Sequence, residues 1–166
     1  MAEFITKVVV LEKETIKEYE SLIYLFSEDK GLILAKARGI KKITSKLAGH
    51  LETKFLTLVR LVEGRETWVV DALQEGEIKR SFKELNIIRF LAGRWQRDDE
   101  IWDILINNKK ISEKDWLAYF GFNSEFASCD ICGRGVPVSF DLREHIFLCP
   151  GCQVALKLSN DELVLI

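Results

Sequence analysis

Short apolar runs separated by polar, glycine-bearing turns fill the first half of the chain. Phe4–Leu11 is rich in β-branched residues. Ser21–Phe26 is a compact apolar run, and Glu28-Asp29-Lys30-Gly31 reads as a turn before Leu32–Ala37. Phe55–Val62 is a further run, which Glu63-Gly64-Arg65 interrupts before Thr67-Trp68-Val69-Val70. Five such runs with turn signals between them predict a β sandwich or a small closed barrel over residues 1–77. Helix competes for the shortest of them, because a brief apolar stretch carries no period of its own.

From residue 78 the period changes. Ile78, Phe82, Leu85, Ile88 and Leu91 recur every three or four positions, which predicts one buried helical face ending near Gly93. A second helix is expected to start at Asp98 and bury Ile101, Trp102 and Leu105. A third has Ser112 and Asp115 in a capping-box pattern, buries Trp116, Leu117 and Phe120, and stops at Gly121. Residues 78–166 thus read as a short helical region carrying a cysteine module at 126–156. After it, Ser159-Asn160-Asp161 is a turn, and Glu162–Ile166 an apolar strand in need of a partner surface. The fold class is α+β.

Composition adds limits. Of 166 residues, 48% are apolar and 30% charged, with a formal net charge of −2. That balance suits a chain with a real core and argues against disorder. No stretch approaches the roughly 18 consecutive apolar residues of a membrane-spanning helix. Met1-Ala2-Glu3-Phe4-Ile5-Thr6-Lys7 lacks the basic and apolar segments of a secretory signal. A cytoplasmic location follows as an expectation, and there thiols stay reduced.

The cysteines then become informative. Cys129-Asp130-Ile131-Cys132 and Cys149-Pro150-Gly151-Cys152 are two CxxC pairs separated by sixteen residues. Each pair can aim two sulfurs at one metal, and the insert is long enough for a hairpin that brings the pairs together. The expectation is one structural zinc ion with four thiolates and no open position for substrate. Gly133 and Gly151 would supply positive φ and close amide approach to sulfur. Disulfides, a redox pair and metal-free apolar burial compete. The reducing compartment disfavours the first, and the second lacks an obvious strand–helix setting. The regular pairing disfavours the third. His145 is read as a solvent-facing hairpin residue, with metal ligation the alternative.

The charge distribution is uneven. Residues 36–50 hold five cations (Lys36, Arg38, Lys41, Lys42 and Lys46) and no carboxylate. The remaining residues carry 19 cationic and 26 acidic side chains, a net −7. Such a run suits a phosphate backbone, with Ser45 and main-chain amides adding hydrogen bonds. A solvated loop explains the same charges. Five single-strand phosphate contacts would give a salt slope of about −3.5 in log K. The phosphate reading requires the cations to share a face and not be spent on carboxylates. Tyr19, Tyr24, Phe26, Phe55 and Trp68 are the aromatic residues available as base platforms, and core burial is the competing role for most of them.

These parts, taken in order, resemble a known family. Glu18-Tyr19-Glu20 and the Gly31 turn lead into Lys36-Ala37-Arg38-Gly39-Ile40-Lys41-Lys42. Ser45-Lys46-Leu47-Ala48-Gly49-His50-Leu51-Glu52 follows, then helices and a four-cysteine module. The order is similar to that of the RecO recombination mediators, most clearly in residues 8–60 and at the cysteines. The resemblance implies an oligonucleotide-binding β-barrel, a helical bundle and a zinc finger. It implies a DNA-repair protein that binds single-stranded and duplex DNA, anneals strands and helps load recombinase. It also implies a RecR-type mediator and the single-stranded-DNA-binding protein as partners, and DNA contact at Lys36, Arg38, Lys41, Lys42 and Lys46. Only about 45 residues stand here where the family carries a longer helical middle.

Two other function classes remain. One is a zinc-containing adaptor, docking a protein through its cysteine module and apolar C-terminal strand without touching nucleic acid. The other is an enzyme, for which the chain offers no Ser–His–Asp set, no phosphate-cradling glycine loop and only His50 and His145. A non-enzymatic role is expected.

Overall fold

A computed structural model of the chain describes residues 2–40, 45–158 and 162–166. Five strands, β1 (Ala2–Lys17), β2 (Glu20–Ser27), β3 (Gly31–Arg38), β4 (Phe55–Glu63) and β5 (Thr67–Glu77), close a barrel in the order β1-β2-β3-β5-β4. Strand β1 serves two neighbours. Residues 2–9 pair with β4 and residues 8–17 with β2. An irregularity at Val10/Glu12 leaves Leu11 out of register, the local bend that lets one long strand turn between two partners. Closure between β3 and β5 is a parallel bridge, Lys36 opposite Trp68.

Period-2 alternation fills the barrel. Val8 and Val10, Ile23 and Leu25, Ile33, Ala35 and Ala37, Val59 and Leu61, and Val69 form one buried cluster. Ile40 and Leu51 join it, with Leu47 and Ala48 packed against it, so these residues of the β3–β4 connection are anchored in the core. Strand β5 runs seven residues past the predicted Val70. Its second half, with Asp71, Gln74 and Glu75, is too polar to read as a strand, yet it is paired along β4.

The chain divides into two compact units, Met1–Arg80 with Ala92–Lys109, and Ser81–Leu91 with Lys110–Ile166. Within the first, α2 (Asp99–Ile106) is capped by the Asp98 carboxylate accepting from the Ile101 amide. It buries Ile101, Ile104 and Leu105, while Trp102, expected in the core, is half-buried. The second unit contains α1 (Phe82–Leu91), α3 (Glu113–Tyr119), β6 (Ser139–Asp141), β7 (Ile146–Leu148), α4 (Pro150–Leu156) and β8 (Leu163–Leu165).

Helix α1 differs from the expected face. It begins at Phe82, which is 63% exposed, and buries Leu85, Ile87 and Ile88. Ile78 is buried as a continuation of the barrel, its amide donating to the Lys54 carbonyl. The 3.6-residue spacing was satisfied by residues that serve different units. The Ser112–Asp115 capping box forms as expected, and Trp116 and Leu117 are buried, with Phe120 only partly so. Strand β8 finds its partner within the chain. It pairs antiparallel with β6, and Leu163 and Val164 are buried. The preceding turn, Ser159-Asn160-Asp161, lies outside the described residues.

Gly31 marks a tight point in the first unit. Its φ is +66°, and a Cβ there would stand 1.8 Å from the Gln96 carbonyl oxygen. Gly31→Ala should therefore lower the urea midpoint clearly, by about 1–3 kcal/mol or more in stability. Gly76→Ala, where a Cβ meets nothing within 4 Å, should stay within about 1 kcal/mol of the parent.

Candidate metal centre and nucleic-acid face

The four cysteines converge. The Sγ atoms of Cys129, Cys132, Cys149 and Cys152 all lie within 4.8 Å of one another, and Cys132 and Cys149 stand 3.8 Å apart. A tetrahedron with Zn–S bonds of ~2.3 Å has edges of about 3.8 Å, so the cage has the dimensions of a four-thiolate site. The β6–β7 hairpin brings the pairs together. The Asp130 amide donates to the Phe147 carbonyl, and the Phe147 amide donates back to the Asp130 carboxylate, tying the first pair to β7. His145 sits in the hairpin turn, exposed, with its ring 5.5 Å from Phe122 and outside the sulfur cluster.

The two pairs are built differently. Gly133 adopts φ +69°, as a sulfur-facing turn requires. Gly151 does not. It is helical, because Cys149 caps α4 and Pro150 occupies the first turn. The second pair thus lies between a strand and a helix, contrary to the sequence expectation. A redox reading loses its footing on other grounds: each sulfur has three sulfur neighbours rather than one.

The thiol ionisation is divided among the four. Main-chain amides of Cys132 and Cys149 point at the Cys129 sulfur and lower its pKa to about 6. Amides of Arg134 and Gly135 lower that of Cys132. Cys152 is pushed up to about 12, first by its hydrogen bond with Cys149 and then by burial. Four thiolates this close repel one another, and a bound dication is what allows all four to ionise together.

The barrel cations occupy a different place. Inward Ile33, Ala35 and Ala37 force Lys36 and Arg38 outward on β3. There they gather around Trp68, with Lys36 Nζ 5.8 Å and the Arg38 guanidinium 4.4 Å from the ring centre. Both also meet carboxylates. Lys36 pairs with Glu66, and Arg38 Nε lies 3.4 Å from Glu20. Exposed pairs of this kind are worth about 0–1 kcal/mol, so they give way to a phosphate at little cost. The Gly39 amide donates to the Tyr19 carbonyl, which places the β1–β2 turn beside the end of β3.

Lys46 is exposed, and Lys41 and Lys42 lie outside the described residues. Beyond them the chain is fastened to the barrel through His50, whose Nδ1 accepts from the Gln74 amide and whose carbonyl accepts from Thr57 Oγ1. Of the aromatic candidates, Phe26 is core. Tyr24, Phe55 and Trp68 are half-buried, and Tyr19 is 54% exposed. Glu20 and Glu66, the carboxylates that face the cations, carry no local sign of that role. Each is distant in sequence from the cation it meets, and only strand pairing joins them.

Residues 1–82 match the family model for the N-terminal part of recombination protein O. Over 85 residues the chain is 34% identical to the DNA repair protein RecO of Dehalococcoides mccartyi, covering 51% of this chain and 32% of that protein. The RecO of Desulforudis audaxviator is 23% identical across 92% of this chain and 72% of its own length. That of Bacillus cereus is 27% identical across 85% and 67%. The chain therefore spans about a third of the first relative and some two thirds of the others. The barrel, residues 1–82, thus belongs to the RecO N-terminal family, and the chain is similar to RecO proteins over most of its length.

Proposed function

We propose that this protein is a non-enzymatic recombination mediator that binds single-stranded DNA on the outer face of its barrel, with one zinc ion stapling the cysteine module. The observation that carries the DNA reading is the outward pair Lys36 and Arg38 gathered around Trp68. They lie on β3, flanked by the β1–β2 and β4–β5 turns, the face and loops with which oligonucleotide-binding barrels hold their ligands. Lys36, Arg38, Lys41, Lys42 and Lys46 contact phosphates. Strand annealing then follows from cations that offset repulsion between two backbones while bases stay available for pairing. Recombinase loading, a RecR-type mediator and the single-stranded-DNA-binding protein belong to the same reading, which rests on the similarity to RecO proteins. The relatives' names specify DNA repair. No helix among the described residues is long and apolar enough to cross a membrane.

The adaptor alternative loses part of its surface. Its C-terminal strand is already paired with β6, and two of its apolar residues, Leu163 and Val164, are buried.

Fluorescence anisotropy with a single-stranded oligonucleotide should show affinity falling steeply between about 50 and 200 mM salt. Lys36→Ala with Arg38→Ala should weaken binding and make the slope shallower by about 1.4, at ~0.7 per phosphate. Unchanged affinity and slope would overturn the DNA reading.

For the metal, elemental analysis should find one zinc per chain. Retention should weaken progressively as pH falls, because protons compete with zinc for the thiolates, and more steeply below about 6, where the metal-free Cys129 thiol also holds its proton. Gly135→Ala should also weaken retention, since a Cβ there meets the Cys149 Cβ at 2.5 Å and its Sγ at 2.9 Å. Gly151→Ala, in open space, should retain zinc as the parent does.

A further inference from the structure

Among the described residues, Trp68 carries two cations over its ring, Lys36 and Arg38. It stands at the β3–β5 closure, opposite Lys36, with Val62 as its cross-strand neighbour on β4. The ring is half-buried and so held in place. The Arg38 guanidinium above it is 73% exposed, with an open outer side. Glu20 and Glu66 hold Arg38 and Lys36 from the turn sides, which keeps the column in position without covering it.

We infer that the Trp68–Arg38 column is a base-stacking platform that makes this face selective for unpaired nucleotides. The inference rests on the proposed DNA-binding reading and deepens it. Indole and guanidinium planes both stack on nucleobases, and every base offers a π-face, so such a platform is indifferent to sequence. A duplex keeps those faces inside its own stack and presents only phosphates to the same surface. Lys36, and Arg38 through its remaining donors, take the phosphates flanking the stacked base. Stacking adds affinity that salt does not remove, whereas the phosphate contacts set the salt slope. The two contributions are therefore separable by experiment.

Tryptophan emission of the full chain, titrated with oligo(dT) and with a duplex of equal length, tests this. Oligo(dT) should quench the parent protein. Trp68→Ala should bind it about tenfold or more weakly, with an unaltered salt slope and unaltered duplex affinity. Trp68→Phe should recover most of the lost affinity while losing the quench, and Trp95→Phe should keep it. Should the Ala variant fail to fold, the two Phe variants decide the matter. A quench that survives in Trp68→Phe overturns the inference, as does equal weakening of single-strand and duplex binding by Trp68→Ala. A parent protein that binds no oligo(dT) overturns the DNA reading itself. A parent that binds with no contribution from Trp68 overturns the platform alone.

Discussion

Strand β3 is pinned by what it buries. Ile33, Ala35 and Ala37 sit in the closed core with Val8, Leu25, Val59 and Val69, and over residues 33–38 the side chains alternate in and out. Lys36 and Arg38 therefore have nowhere to go but outward. A slip of one residue would put two cations into the core and three apolar residues into water, so the register is strongly held. The position of the cations, their reach to Trp68 across the closing bridge, and their pairing with Glu20 and Glu66 all follow from that seating.

The carboxylates near these cations qualify the picture that the charge run alone suggests. Lys36 and Arg38 do not project as bare charges; each is met by an acid from a neighbouring turn or strand end. At a solvated surface such pairs contribute little energy but fix orientation. The face is thus organised before any ligand arrives, with its cations directed over an aromatic ring.

The cysteine module obeys a different constraint. Its sulfurs are brought within contact range by a hairpin of two three-residue strands, one of them bound to β8 on its other side. A sheet that small buries little apolar area, and a cluster of four thiols tends to come apart as soon as more than one ionises. Main-chain amides aimed at Cys129 and Cys132 ease the first ionisations, while Cys152 resists. The arrangement is compatible with a dication, which would let all four ionise together.

Much of this was legible along the chain. Apolar runs broken by glycine-bearing turns in residues 4–70 pointed to five strands, with helix competing for the shortest, and closure into a barrel decided between them. The paired cysteines specified their own convergence, because CxxC spacing has few other uses. Ser112 and Asp115 specified a helix start through hydrogen bonds that span three residues. Each of these signals is local. The places where periodicity misled, Ile78 and Phe82 on a supposed common face, are places where neighbouring residues pack into different units. The strand–helix setting of Cys149 depended on a short β7 that only pairing with β6 creates. Which carboxylates face Lys36 and Arg38, and that Trp68 lies beneath them, was decided by barrel closure, since contacts across 18 to 32 residues leave no pattern in the sequence between them.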